Sequence, residues 1–124
     1  MGIYFTDREA DIMQVLWRLG PSTVSDVRAA LADDLAYTTV LTMLRTLEQK
    51  EYVSHEEEGR THRYYALVNQ QAARKSALRH LTGKLFDGSS ELLLTQLVSD
   101  QKVTRPQLER LRALLEEKGK GSKS

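Results

Sequence analysis

The chain has 124 residues, 40% of them apolar and 28% charged, with a formal net charge of +1 and no cysteine. That length suits one domain or a small domain with an appendage, and the missing cysteines exclude disulfides, thiolate metal sites and cysteine nucleophiles. No apolar run approaches the roughly 20 residues that span a bilayer, and the N-terminus lacks the basic-then-apolar order of a signal peptide, so a cytoplasmic protein without membrane insertion is expected.

Thr6 and Glu9 have the spacing of a capping box, in which the cap hydroxyl and the carboxylate three residues on each accept the other's backbone amide. Ile12, Leu16 and Leu19 then recur at helical spacing, with Met13 and Trp17 widening the stripe. Gly20-Pro21 ends this first helix. Val24 is expected in a minimal strand, and Ser25 as the cap of a second helix with Val27, Ala30 and Leu31 inward, broken by Asp33-Asp34. A third helix is expected over about Thr38–Lys50, with Val40, Leu44 and Leu47 facing inward. Two strands follow, roughly Tyr52–Glu58 and Thr61–Leu67, rich in Val, Thr and Tyr and joined through Gly59. The order helix, strand, helix, helix, strand, strand is that of a winged helix-turn-helix.

Asn69 has the position of a cap for a fourth helix over about Gln70–Phe86, with Leu78, Leu81, Leu85 and Phe86 on one side. Asp87-Gly88-Ser89-Ser90 reads as a turn before a short apolar helix, Glu91–Ser99. Thr104 and Gln107 then open a last helix carrying Leu108, Leu111 and Leu115. The Gly/Lys/Ser tail, 119–124, is expected to be disordered. The expected fold is mainly α with a small β-hairpin. A winged helix-turn-helix occupies 1–68, and a helical dimerisation region occupies 69–118.

The outward face of the third helix presents Thr38, Thr39, Thr42, Arg45, Thr46 and Gln49. Threonine hydrogen-bonds bases or phosphates and sets its methyl against that of thymine, while Arg and Gln are the usual bidentate readers of guanine and adenine. A solvated face is the ordinary alternative. Threonine, however, is a poor helix former, and so dense a cluster of them implies selection for something other than helix stability. The turn Glu58-Gly59-Arg60 places a cation at the hairpin tip. Arg60 is expected to hold a phosphate or enter the minor groove, with Thr61 and Arg63 in support. The competing reading pairs Arg63 with one of Glu56–Glu58.

Bulk charge gives no support to nucleic-acid binding. Up to Val68 the chain has seven Lys/Arg against eleven Asp/Glu, a net of −4, and the remainder has a net of +5. Recognition must therefore rest on a few placed groups. His55 and His62 share one face of the hairpin in some registers, with Glu57 nearby, in the manner of a zinc site. The sequence leaves that register open and surface-strand histidines are far commoner, so no metal is expected, and His80 reads as ordinary surface or interface. With no Ser/His/Asp set, paired carboxylates or Gly-rich phosphate loop, neither enzyme activity nor a cofactor is expected.

Leu92, Leu93, Leu94, Leu97 and Val98 make the fifth helix apolar on more than one side. One chain has little left to cover it. Two chains interleaving the leucines of their last three helices in a symmetric dimer would do so; the alternative folds these helices back on the winged domain.

The block Ala36-Tyr37-Thr38-Thr39-Val40-Leu41-Thr42, the turn Glu58-Gly59-Arg60 and the run His62-Arg63-Tyr64-Tyr65 resemble the BlaI/MecI/CopY family of bacterial penicillinase repressors. The likeness runs from about Phe5 to Leu115. It implies a homodimeric winged-helix repressor of operator DNA, with Thr38, Thr39, Thr42 and Arg45 on the recognition helix and Arg60 on the wing. It also implies, for β-lactam-responsive members, a membrane-bound sensor protease of the BlaR/MecR type that cleaves the fifth helix at an Asn-Phe bond. The matching position here is Gln96-Leu97, which argues against cleavage-driven induction. Copper sensing is disfavoured by the missing C-terminal cysteines, and Glu51 stands where many members carry a glycine. Other readings on the same fold are a protein-interaction module, and an activator or ligand-gated regulator.

Overall fold

The helices form where their caps and apolar stripes are strongest. In a computed structural model describing residues 2–100 and 102–121, the order is α1 (Asp7–Leu19), α2 (Val24–Ala30), α3 (Tyr37–Gln49), β1 (Val53–Glu58), β2 (Thr61–Ala66), α4 (Gln70–Leu85), α5 (Ser90–Ser99) and α6 (Arg105–Gly121). The chain divides into two compact units, one running to Leu78 and the other beginning at Arg79. The boundary lies beyond Val68 because the start of α4 is tied to the N-terminal unit. Trp17 Nε1 donates to the Val68 carbonyl at 2.9 Å, Gln70 bonds Gln14 at 3.0 Å, and Ser76 Oγ accepts from the Ile3 amide at 2.6 Å.

Within the N-terminal unit the Thr6/Glu9 capping box opens α1, and Gly20, at φ 80°, closes it. The second helix corrects the sequence reading. Its cap is Thr23, which forms a capping box with Asp26, and Val24 is already helical. The minimal strand lies earlier, at Ser22, which exchanges both backbone hydrogen bonds with Tyr64, at 2.9 and 2.8 Å. Ile12, Met13 and Leu16 of α1, Val27 of α2, and Val40, Leu44 and Leu47 of α3 form one core with Val53 and Tyr64 of the hairpin. Each helix contributes one stripe, so each leaves a polar face outward.

The strands pair antiparallel in the register Val53↔Ala66, His55↔Tyr64, Glu57↔His62 and Glu58↔Thr61. Because side chains alternate along a strand, the face that buries Val53 and Tyr64 carries His55, Glu57 and His62 as it runs out to the tip. Glu56, Glu58, Thr61 and Arg63 occupy the other face.

In the second unit, the turn Asp87-Gly88 has both residues at positive φ, 51° and 74°, and Ser89 caps α5. Thr104 and Gln107 form the expected capping box of α6. None of α5 is buried, and Leu81, Leu85, Leu92, Leu97, Val98, Leu108, Leu111 and Leu115 are all exposed. Phe86 and Leu93 are half-buried. Of the tail expected to be disordered, 119–121 continue α6, and 122–124 lie outside the described residues. No helix among the described residues is long and apolar enough to cross a membrane.

The end of α3 concentrates two local costs. Tyr52 N–H reaches the Leu47 carbonyl at 3.0 Å and Glu51 N–H the Glu48 carbonyl at 2.9 Å, a Schellman closure that forces Glu51 to φ 66°. Beside it, Lys50 Nζ lies 2.8 and 3.0 Å from the carboxylate of Glu9, a residue only 4% exposed, which also accepts the Thr6 amide. Burial alone would push the Glu9 carboxyl up; the bonds from Lys50 and Thr6 outweigh it and hold it below its ordinary value of 4.5.

Replacing Glu51 by glycine removes the left-handed penalty and is expected to stabilise the fold by about 1 kcal/mol, raising Tm by several degrees in a thermal melt. Lys50→Met strands the Glu9 carboxylate and is expected to cost about 2 kcal/mol at pH 7, since the lysine is only half withdrawn from water. The Glu9 contribution is complete above its ordinary value and fades as pH falls through the depressed folded one. Urea midpoints of wild type and variant should therefore draw together as pH falls below the ordinary carboxyl value and through the depressed folded one, and a gap that does not narrow with falling pH would contradict the pairing.

Candidate nucleic-acid interface

Helix α3 positions the polar residues because its buried stripe fixes its rotation. With Val40, Leu44 and Leu47 fully buried, the opposite face presents Thr38, Thr42, Arg45 and Gln49, with Thr39 and Thr46 at its edge. All are exposed except Thr46, which is half-buried. Two threonine hydroxyls are already committed as donors: Thr42 Oγ1 bonds the Thr38 carbonyl at 2.8 Å, and Thr46 Oγ1 the Thr42 carbonyl at 3.0 Å. Such back-bonding is how a helix tolerates threonine. It leaves these side chains a methyl group and acceptor lone pairs to offer.

Beside this face lies a concavity of about 480 Å³, lined by Thr23, Val24, Ser25, Tyr37, Leu41, Arg45, Arg60, Thr61, His62 and Tyr64. The lining holds two arginines and no carboxylate, although this part of the chain is net acidic. Several of the acids are engaged elsewhere. Arg8 bonds Asp33, Lys50 bonds Glu9, and Glu48 meets His55 Nδ1 at 2.7 Å. Burial pushes the Tyr64 phenol above its ordinary range, Glu48 adding to the rise while Arg45 opposes it by charge and a hydrogen bond. Arg45 lines the concavity where it meets the helix face.

The two wing arginines differ. Arg60, at the tip beside Gly59 (φ 65°), is exposed and among the described residues pairs with no carboxylate. Arg63 Nε sits 2.5 Å from Glu58 and its guanidinium 3.8 Å from Asp26, and the Glu58 bond raises its pKa. Of the two sequence readings for Arg63, the ion pair is the one formed in the free chain.

The structure brings Arg45, Arg60 and Thr61 together around the concavity and sets the remaining α3 residues on the adjoining face. Thr23, Ser25, Tyr37 and His62 line the same surface and were missed by the sequence reading. The start of α2 was the available signal, since a helix-turn-helix packs its first helix across the second. Gln96 and Leu97 fall inside α5, within hydrogen-bonded helix. In the hairpin the register brings His55, Glu57 and His62 onto one face, an arrangement the sequence had left open.

A profile of the penicillinase repressor family matches residues 5–117. The transcriptional regulator BlaI of Mycobacterium tuberculosis is 46% identical over 61 residues, 47% of this chain and 44% of that protein, so the match spans less than half of the relative's length. The methicillin resistance regulatory protein MecI of Staphylococcus aureus is 19% identical over 112 residues, 89% of this chain and 91% of that protein. Among solved structures, Bacillus licheniformis BlaI, in monomeric form with the blaP half-operator, aligns with a TM-score of 0.50 at 24% identity, over 58% of this chain and 90% of that one. The Staphylococcus aureus regulator MepR aligns with a TM-score of 0.52 at 18% identity, over 94% of this chain and 79% of that one. These two likenesses concern the fold. With nearly its whole length matched by the family profile, the chain belongs to the penicillinase repressor family.

Proposed function

We propose that this protein is a homodimeric, sequence-specific DNA-binding transcriptional repressor. The observation that carries the reading is the segregation of charge. In a net-acidic unit, the concavity beside α3 and the hairpin is lined by two arginines and by no carboxylate. Family membership and the operator-bound relative support the same reading.

In the proposed complex α3 enters the major groove of a pseudo-palindromic operator. Arg45 and Gln49 read base edges, and Thr38, Thr39, Thr42 and Thr46 add methyl and acceptor contacts. Arg60, supported by Thr61, takes a backbone phosphate or the minor groove. Arg63 stays with Glu58 and Asp26, bracing the hairpin. The leucines left exposed on α4, α5 and α6 are covered by a second copy, which sets two recognition helices about 34 Å apart on one face of the duplex.

Gel shifts on the promoter fragments of neighbouring genes, run across a salt series, test the binding. Affinity is expected to fall steeply with salt. Arg60→Ala should weaken binding on every sequence and reduce the salt slope by about 1, whereas Arg63→Gln should act chiefly through stability. Thr42→Ala should instead alter sequence preference. If no genomic fragment binds better than random DNA at any salt, the repressor reading fails. Leu97→Asp is expected to convert the dimer to a monomer on size exclusion, and an unchanged elution volume would remove the proposed interface.

A further inference from the structure

The hairpin face that lines the concavity carries a set of side chains to which the proposed function assigns no role. We propose that His55, Glu57 and His62 form a binding site for one divalent transition-metal ion, Zn(II) being the fitting example, with Glu48 orienting His55 from outside the coordination sphere.

The register creates the set. Glu57 stands directly opposite His62, and His55 lies diagonally across the same face, so two imidazoles and a carboxylate converge from adjacent strands. Their ligating atoms all lie within 4.8 Å of one another, and His62 Nε2 is 3.6 Å from Glu57 Oε1. Ligands about 2.0–2.2 Å from a tetrahedral zinc are roughly 3.4 Å apart, so closure draws these atoms together and reorients the His62 ring. Glu57 and His62 are exposed side chains near the hairpin tip, free to make them.

The ligand types fit. Two His nitrogens and one carboxylate oxygen suit zinc and related borderline ions, with water filling the remaining positions. One imidazole is already oriented. Glu48 Oε2 holds His55 Nδ1 at 2.7 Å, which directs Nε2 outward to the metal. A carboxylate on the far nitrogen of a metal-bound histidine is a recurrent device that fixes the tautomer and strengthens the ligand. In the free chain the two imidazoles stack, with centroids 4.6 Å apart and planes 15° from parallel. In-plane lone pairs of stacked rings do not meet at one point, so metal binding must turn His62 out of the stack.

The consequence is electrostatic. The ion adds two positive charges to a wing whose strand carries Glu56, Glu57 and Glu58, beside a His62 that lines the concavity. The site itself does not depend on the DNA reading, and its test uses no DNA.

The untagged full-length chain is titrated with Co(II) alone and with Zn(II) alone, followed by visible absorption, calorimetry and histidine ring NMR. The expected result is one equivalent per chain and Co(II) bands of low-coordinate intensity, with the His55 and His62 resonances moving together. His62→Ala and Glu57→Gln, both at exposed positions, should each weaken binding by about tenfold or more, and Glu48→Gln by about tenfold. The proposal is overturned if the wild type binds neither ion at about 0.1 mM. It is equally overturned if His62→Ala, shown folded by circular dichroism, binds as tightly as wild type, because the ion then resides elsewhere.

Discussion

The paired hydrogen bonds between Ser22 and Tyr64 hold the hairpin to the helices, and the geometry of the candidate interface depends on them. A two-stranded hairpin alone is marginal in water. Here a third, single-residue strand docks on β2 through both backbone groups of Tyr64. The same residue sends its ring into the core, where it is 2% exposed, and offers its phenol to Arg45. One residue thus joins the turn before α2, the core under α3, and the guanidinium at the edge of the outward face of α3. A hairpin free to swing would leave Arg60 without a fixed relation to α3. With Tyr64 seated, the tip arginine and the helix flank the same concavity.

This anchoring also explains how an acidic unit carries a cationic surface. Net charge sets long-range steering, but a phosphate in contact feels the groups within a few ångströms, and salt screens the rest beyond about 10 Å. Several carboxylates of this unit, Glu9, Asp26, Asp33, Glu48 and Glu58 among them, are drawn into local pairs by residues other than Arg45 and Arg60. Arg63 is the clearest instance: by engaging Glu58 and Asp26 it offsets the charge of two acids near the tip. Each exposed pair contributes little stability. Its effect is on the sign of the surface next to it.

The parts of this arrangement that were legible in sequence are those governed by local rules. The capping boxes at Thr6 and Thr104, the inward stripe of α3 and the turn at Gly59 each depend on residues within one or two helical turns. The box at Thr23 was missed because Ser25 is an equally good cap two residues later and aspartate replaces the usual Glu or Gln. Ser22 has no periodicity to betray it, since a one-residue strand exists only through its partner. Glu51, standing where many members of the family carry a glycine, is a left-handed glutamate at the end of α3. What required three dimensions was convergence: Thr23, Ser25 and Tyr37 meeting Arg60, and the strand register that gathers His55, Glu57 and His62.

The proposed recognition surface, built from so few charges, has a thermodynamic corollary. In the proposed dimer, two arginines and a row of threonines, whose hydroxyl protons are partly spent on their own helix, would give one protomer a small share of the phosphate contacts on which affinity rests. Joining two such surfaces makes the second contact intramolecular, with an effective concentration in the millimolar range when geometry allows both to engage. Affinity and operator symmetry then share one origin. The leucines that α4, α5 and α6 leave exposed in the single chain become, in the proposed dimer, a condition for reading DNA at all. On this account the apolar face and the polar face are one device. The first, by fixing the spacing between two weak readers, supplies the specificity that the second lacks alone.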